Sequence, residues 1–316
     1  MTTLEMYFLS YIFCYTPAMS DFHALLRDTI PDLPQGSWPL LGEGLWSTIH
    51  DLGDGSVLKL VRRNGGLGSG ESKHYREAEV LRLLDGLTGR DYRVPRLLGA
   101  GRFADAYGFS GPPLAGWLRI EKLPGRALEE GGLYALKSDQ RERIGETIGA
   151  ALAAFHAAGA AHLPAAAKLG RSSLRSLDEA LTRIGAPEQR AGIDRLKAMW
   201  AAEEGAPVLL HGDVNLANLV IERGAPIGLV DFAEAGTGLP EEDLRHFDNP
   251  GPLRDAIFRA YGAVAGRAVD MRRFRMAVAV NAAVSLALGS NAGHPREAMR
   301  RVSFLDEALR AAGAAA

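Results

Sequence analysis

Val208-Leu209-Leu210-His211-Gly212-Asp213-Val214-Asn215-Leu216-Ala217-Asn218-Leu219-Val220-Ile221, continued by Arg223-Gly224-Ala225-Pro226 and Ile227-Gly228-Leu229-Val230-Asp231-Phe232, decides how this chain is read. The apolar runs 208–210, 219–221 and 227–230 are short and bounded by turn residues, the pattern of buried strands. A tight turn over 223–226 joins the last two as a hairpin and brings Asn218 and Asp231 to one edge. His211-Gly212-Asp213 leaves the first strand, so an acid, an amide and a second acid stand on short loops between strands.

That set suits phosphoryl transfer from a magnesium nucleotide, which asks the protein mainly to position groups and neutralise charge. Mg²⁺ takes hard oxygen ligands and keeps several waters, so the Asn218 amide oxygen and the Asp231 carboxylate fit as its protein ligands. The remaining acid, Asp213, then orients the acceptor hydroxyl and accepts its proton. Any one of these residues taken alone reads as an ordinary turn or strand end; the joint spacing carries the reading.

The segment resembles the signature of the aminoglycoside phosphotransferase and choline kinase-like family, small-molecule kinases with a protein-kinase-like fold. The resemblance runs from about Asp21 to the C-terminus and is most specific over 208–247. It implies a catalytic base at Asp213, magnesium ligands at Asn218 and Asp231, and structural support of the loop by His211. It also implies an α+β bilobal fold, with a small antiparallel-sheet N-lobe carrying one helix and a larger, mainly helical C-lobe. Two departures bear on the acceptor side: Gly238-Leu239-Pro240 stands where the family often has Gly-Asp-Pro, and Phe232-Ala233 replaces the Phe-Gly of protein kinases.

Composition sets the frame. The chain has 316 residues, 47% hydrophobic and 23% charged, with net charge −2, which is globular material for two lobes and no nucleic-acid footprint. The single cysteine, Cys14, excludes an internal disulfide framework and suits a reducing, cytoplasmic compartment where ATP is available. Met6 to Tyr15 is apolar but lacks a basic start and falls short of the ~20 apolar residues of a membrane span. Residues 1–20 therefore read as a leader of uncertain structure, with Met19 a candidate start and 1–18 dispensable.

Residues 21–123 read as the nucleotide-binding lobe. Leu41-Gly42-Glu43-Gly44, Trp46 to Asp51, Asp54-Gly55 and Ser56 to Arg62 alternate strand and turn, a glycine hairpin able to approach phosphates closely. Strand alternation puts Val57, Lys59 and Val61 on one face, so the Lys59 ammonium sits among apolar neighbours and needs an anionic partner. A helix with Val80, Leu83, Leu84 and Leu87 on its apolar side follows, and Glu77, with Glu79 as its rival, is placed to reach Lys59. The resemblance makes Lys59 and Glu77 the pair that holds the α- and β-phosphates. Gly65 to Ser72 fails as a phosphate-binding P-loop because Glu71 occupies the lysine position. Leu118 to Leu123 reads as a strand ended by Pro124-Gly125, and the resemblance implies adenine contacts from the Glu121 carbonyl and the Leu123 amide.

Residues 124–316 read as a helical lobe with the catalytic loop and acceptor site. Ile144 to His156 has the spacing of a long central helix, and Leu174–Ile184 with Ile193–Trp200 read as inserted helices that help to form the acceptor site. Glu234, Glu241, Glu242, Asp243 and Asp248 make an acidic stretch. It favours but does not require a cationic acceptor, and an alternative is that Glu241 and Glu242 start a helix. The resemblance has Asp243 tie down the catalytic loop. The expected activity is transfer of the γ-phosphoryl group of ATP, with Mg²⁺, to a hydroxyl of a small molecule such as an aminoglycoside, a choline-like amino alcohol or a related metabolite, with no nucleic-acid or membrane partner. Two alternatives stand beside it. One is a non-catalytic nucleotide-binding regulatory protein on the same fold. The other is a protein kinase, disfavoured by Gly212 where an arginine is expected, by the inserted helices and by the lack of an Ala-Pro-Glu-like segment.

Overall fold

In the computed structural model, which describes residues 24, 26–64, 68–103, 113–128, 132, 133, 135–289 and 295–314, the two glycine hairpins form strands β1 (Leu40–Glu43), β2 (Ser47–Asp51) and β3 (Ser56–Arg62). The β2–β3 turn is set by Gly53 and Gly55, whose φ angles of 76° and 83° glycine adopts freely. Asp51 and Asp54 accept the Gly53 and Ser56 amides at 3.0 Å each. The leader, including Met19, and residues 65–67 of the glycine connector lie outside the described residues.

β5 (Leu97–Arg102) and β6 (Leu114–Glu121) complete an antiparallel five-stranded sheet in the order β1-β2-β3-β6-β5. Alternation along β3 sends Leu58 and Leu60 into a core with Leu26, Ile30, Leu33, Trp38, Leu52, Phe103 and Trp117. The described residues up to His74, with Leu97–Lys122, form this first compact unit, and Tyr75–Arg96 with the residues from Leu123 onward form a second.

Helix α1 (Gly70–Leu84) passes from the first grouping to the second at His74. It buries Ala78, Val80, Leu81 and Leu84, whereas Leu83 is half-buried. The helix also stops before Leu87, because Asp85 and Gly86 turn left-handed at φ 41° and 71°.

In the second unit, β4 (Tyr92–Arg93), β7 (Arg126–Ala127), β9 (Leu219–Ile221) and β10 (Ile227–Leu229) make a sheet in the order β4-β10-β9-β7. β8 (Val208–Leu210) pairs with β11 (Gly236–Gly238). The central helix α2 (Ser138–Gly159) buries Ile148, Leu152 and Phe155. The stretch 138–169 is apolar enough to cross a bilayer by length and composition, but those side chains are spent on the protein interior. Gly145 and Gly149 let α5 (Pro252–Ala265) lie almost on the α2 backbone: a Cβ on Gly149 would stand 2.3 Å from the Ile257 carbonyl oxygen. The inserted segment forms α3 (Ser172–Leu181) and α4 (Pro187–Ala201), and α6 (Met271–Gly289) and α7 (Pro295–Ala312) finish the unit.

Candidate active site

The hairpin β9–β10 sets two of the three expected polar groups. Leu229 pairs with Leu219, and one rung further the Val230 amide donates to the Asn218 carbonyl at 3.1 Å. Asn218 and Asp231 therefore flank the open end of the hairpin. Asp231 takes φ 68°, a left-handed backbone that costs a residue with a side chain ~1–2 kcal/mol. Strain of this kind persists where the surroundings over-determine it, and functional turns are where it concentrates.

Asp213 is hydrogen-bonded on one oxygen and approached by a histidine on the other. Its Oδ2 accepts from Asn215 Nδ2 at 3.1 Å and from Asn218 Nδ2 at 3.2 Å, and Asn218 Nδ2 also donates to the Asp213 carbonyl at 2.9 Å. Oδ1 lies 3.1 Å from His246 Nε2. The carboxylate is still one-third exposed. Burial pushes its acidity down, but the approach of His246, then of Arg245 and His211, outweighs burial and holds the carboxyl well below the usual carboxylate range. A group held ionised in this way is ready to accept a hydrogen bond from a hydroxyl.

The loop that carries Asp213 is clamped from behind. Asp243 Oδ2 accepts the His211 amide at 2.8 Å and Oδ1 the Gly212 amide at 2.7 Å. The same Oδ2 receives His156 Nε2 at 3.0 Å, and His156 Nδ1 meets the Tyr261 hydroxyl at 2.9 Å. Arg245 donates to the carbonyls of Gly212 and Glu242. The fully buried His211 donates from Nε2 to the Val230 carbonyl at 2.9 Å, and its ring packs 4.4 Å from Phe232. Gly212 has φ 86°, and a Cβ there would stand 2.1 Å from the Glu234 carbonyl oxygen, which explains the absence of an arginine at this point.

Lys59, in the first unit, is 4% exposed, and its strand neighbours are Ile49 and Leu118. Glu77, in the second, is 2% exposed. Its rival Glu79 lies at the surface with Lys168 and Arg82. Glu121 ends β6, and the buried Leu123 opens the second unit, where its side chain lies against Gly228.

The acidic stretch does not form a rim. Glu241 is buried with Arg267 at 3.0 Å and the Asp270 amide at 3.2 Å. Glu242 is buried against the Ser173 and Leu239 amides, burial raising its carboxyl above the ordinary value. Asp243 is the loop clamp. Glu234 is part-exposed and faces Arg76 and Arg175 at 3.6 and 3.9 Å. The structural alternative for Glu241 and Glu242 is therefore the one realised: they open the short 3₁₀ turn Pro240–Glu242. Asn215, His156, Tyr261 and His246 were given no role from sequence, and Arg245 stood out only as the fixed positive charge within the acidic stretch. Asn215 alone carried a local signal, an Asx-type residue before a 3₁₀ turn, whose Oδ1 accepts the Asn218 amide at 3.2 Å.

Among the described residues no cluster of three or more His, Cys, Asp or Glu could hold a metal unaided. The donors here fit Mg²⁺ all the same. Asn218 spends its amide nitrogen on Asp213, which leaves the oxygen as the end of the amide free to meet a cation, and Asp231 supplies a carboxylate. A site with one or two protein oxygens is completed by nucleotide phosphates and water.

The match with a family model, described as the phosphotransferase enzyme family, covers residues 56–276. No curated protein sequence matches the chain significantly. Solved structures agree on the fold. The GDP complex of wild-type aminoglycoside 2'-phosphotransferase-IIIa aligns at TM-score 0.66 and 18% identity, over 93% of this chain and 99% of that one. The streptomycin–ATP ternary complex of APH(2")-IIa aligns at 0.60 and 13%, over 94% and 97%. Macrolide 2'-phosphotransferase MphH from Brachybacterium faecium aligns at 0.55 and 20%, over 91% and 97%. A mixed α+β kinase-like fold and a family model that runs from β3 through the central helix and the Asp213 loop into α6 lead to one conclusion: the chain belongs to the phosphotransferase enzyme family and is a small-molecule kinase.

Proposed function

We propose that the protein transfers the γ-phosphoryl group of ATP to a hydroxyl of a small molecule, with Asp213 as base. The observation that carries this is the Asp213 carboxylate, held ionised and partly exposed, on a loop pinned by Asp243. The acceptor hydroxyl donates to Asp213, its oxygen bonds to the γ-phosphorus as the bridge to ADP breaks, and the hydroxyl proton stays on the carboxyl for release to solvent. When bound, Mg²⁺ neutralises charge on the phosphate oxygens; Asn218 and Asp231 would hold it. Lys59 and Glu77 are assigned to the α- and β-phosphates, and the Glu121 carbonyl and Leu123 amide to the adenine edge. Residues 21–123 would then serve the nucleotide and 124–316 the acceptor, in a cytoplasmic enzyme. Of the acidic stretch, Glu234 and Asp248 are part-exposed and would be the groups nearest to hand for a cationic acceptor, Glu234 in competition with Arg76 and Arg175. The test is ADP release from Mg-ATP, and from Mg-GTP, across a panel of kanamycin, gentamicin, streptomycin, a macrolide, choline and simple sugars. Acceptor-stimulated release by at least one small molecule is expected. Efficient phosphorylation of peptides with no response to any small molecule would overturn the assignment, and Glu234→Lys should raise KM for a cationic acceptor while sparing KM for ATP.

A further inference from the structure

We infer that His246 is a positioning residue for the base: it fixes the Asp213 carboxylate so that Oδ1 is presented to the acceptor hydroxyl, an assignment that rests on the role of Asp213 proposed above. Oδ2 is already occupied by the Asn215 and Asn218 amide nitrogens, so Oδ1 is the oxygen left to receive a proton. The group beside Oδ1 is His246 Nε2, 3.1 Å away and out of line for a full hydrogen bond.

That nitrogen is closed to water although the ring as a whole keeps about a fifth of its surface exposed. A buried ring nitrogen without a hydrogen bond of its own is drawn to the nearest acceptor, and here that is the carboxylate oxygen. Without it, Asp213 is held on one oxygen by two amides, and its plane is free to rock about the Cβ–Cγ bond.

The backbone under His246 is well set for such a task. Asp243, three residues earlier, grips the amides of His211 and Gly212, and Arg245 grips the Gly212 carbonyl. The Phe247 amide donates to Leu244 at 3.0 Å and the Leu244 amide to Glu241 at 3.2 Å, which fixes the turn. One short segment therefore holds the main chain of the catalytic loop through Asp243 and Arg245 and the side chain of its acid through His246. The first two contacts set where the loop is; the third sets how the carboxylate is turned.

The experiment compares the parent with His246→Ala, His246→Gln and Asp213→Asn. It measures kcat, KM for ATP and KM for the acceptor by ADP release from Mg-ATP, with each acceptor of the panel and with water alone, and it measures thermal midpoints. Loss of orientation should lower kcat of His246→Ala by ~10–10²-fold with both KM values nearly unchanged. His246→Gln, whose amide places an N–H near the position of Nε2, should recover most of the loss. Parent-like kcat in His246→Ala overturns the inference, and so does an equal fall in both variants or a rise in KM for ATP, since each describes a merely structural histidine. Asp213→Asn separates the two claims: if it turns over like the parent, the base assignment itself fails, whereas an inactive Asp213→Asn beside a parent-like His246→Ala removes the role of His246 alone. A parent that releases no ADP under any of these conditions removes both.

Discussion

Asp243 shows how much of this site is built by a residue that is itself fully buried. Burial alone would raise its carboxyl, but His156, His211 and the Gly212 amide outweigh burial and hold it below the ordinary range. A carboxylate depressed in this way adds stability above its unfolded value of about 4, and that stability is lost as pH falls through the folded value. The parent should therefore lose thermal stability more steeply below about pH 4 than Asp243→Asn, which should be weaker by on the order of 3 kcal/mol at neutral pH; thermal scans between pH 3 and 7 decide this. At the hairpin end, Asp231→Ala should weaken Mg-ATP binding more than Asn218→Ala, because the carboxylate contributes charge as well as an oxygen. Calorimetry with and without Mg²⁺ reads the difference, and parent-like binding by both variants would move the metal site elsewhere. Asp213, Asn218 and Asp231 were legible from sequence because local spacing places them. His156, Tyr261 and His246 were not, because the contacts that give them meaning cross 87, 105 and 33 positions respectively, two of them through buried hydrogen bonds.

Helices that carry a long apolar stripe could be read from the chain, and their C-terminal ends moved by three residues or fewer in the structure, their N-terminal ends by up to six. α2 begins six residues before the expected Ile144 and α4 six before the expected Ile193, whereas α3 is shifted by two to three residues from the expected Leu174–Ile184. The strands that escaped notice lack alternation. β5 reads Leu-Leu-Gly-Ala-Gly-Arg, and its glycines are explained by a partner distant in sequence: a Cβ at Gly101 would stand 2.5 Å from the Trp117 indole nitrogen. β11 is Gly-Thr-Gly and exists as a strand through pairing with β8. The same logic gives a prediction for the α2–α5 contact. Gly149→Val should overpack it and lower stability by ~1–3 kcal/mol, read as a drop in thermal midpoint, while Gly132→Ala, in open space, should leave it unchanged.

At the scale of the whole molecule, the family match over 56–276 and the shared kinase-like fold set the reaction class, while the acceptor depends on surface that varies between members of a fold. The acidic stretch illustrates this: read as a string it suggests a cationic ligand, but the fold turns Glu241, Glu242 and Asp243 inward to hold loops and helix starts. The central claim is that one ionised carboxylate on a pinned loop does the proton work. Its most direct test is turnover of Asp213→Asn against the parent, with ATP affinity measured in parallel by calorimetry. The account predicts a fall of ~10²–10⁴ in kcat with nearly intact nucleotide binding. Parent-like turnover in a folded, nucleotide-binding Asp213→Asn would contradict it.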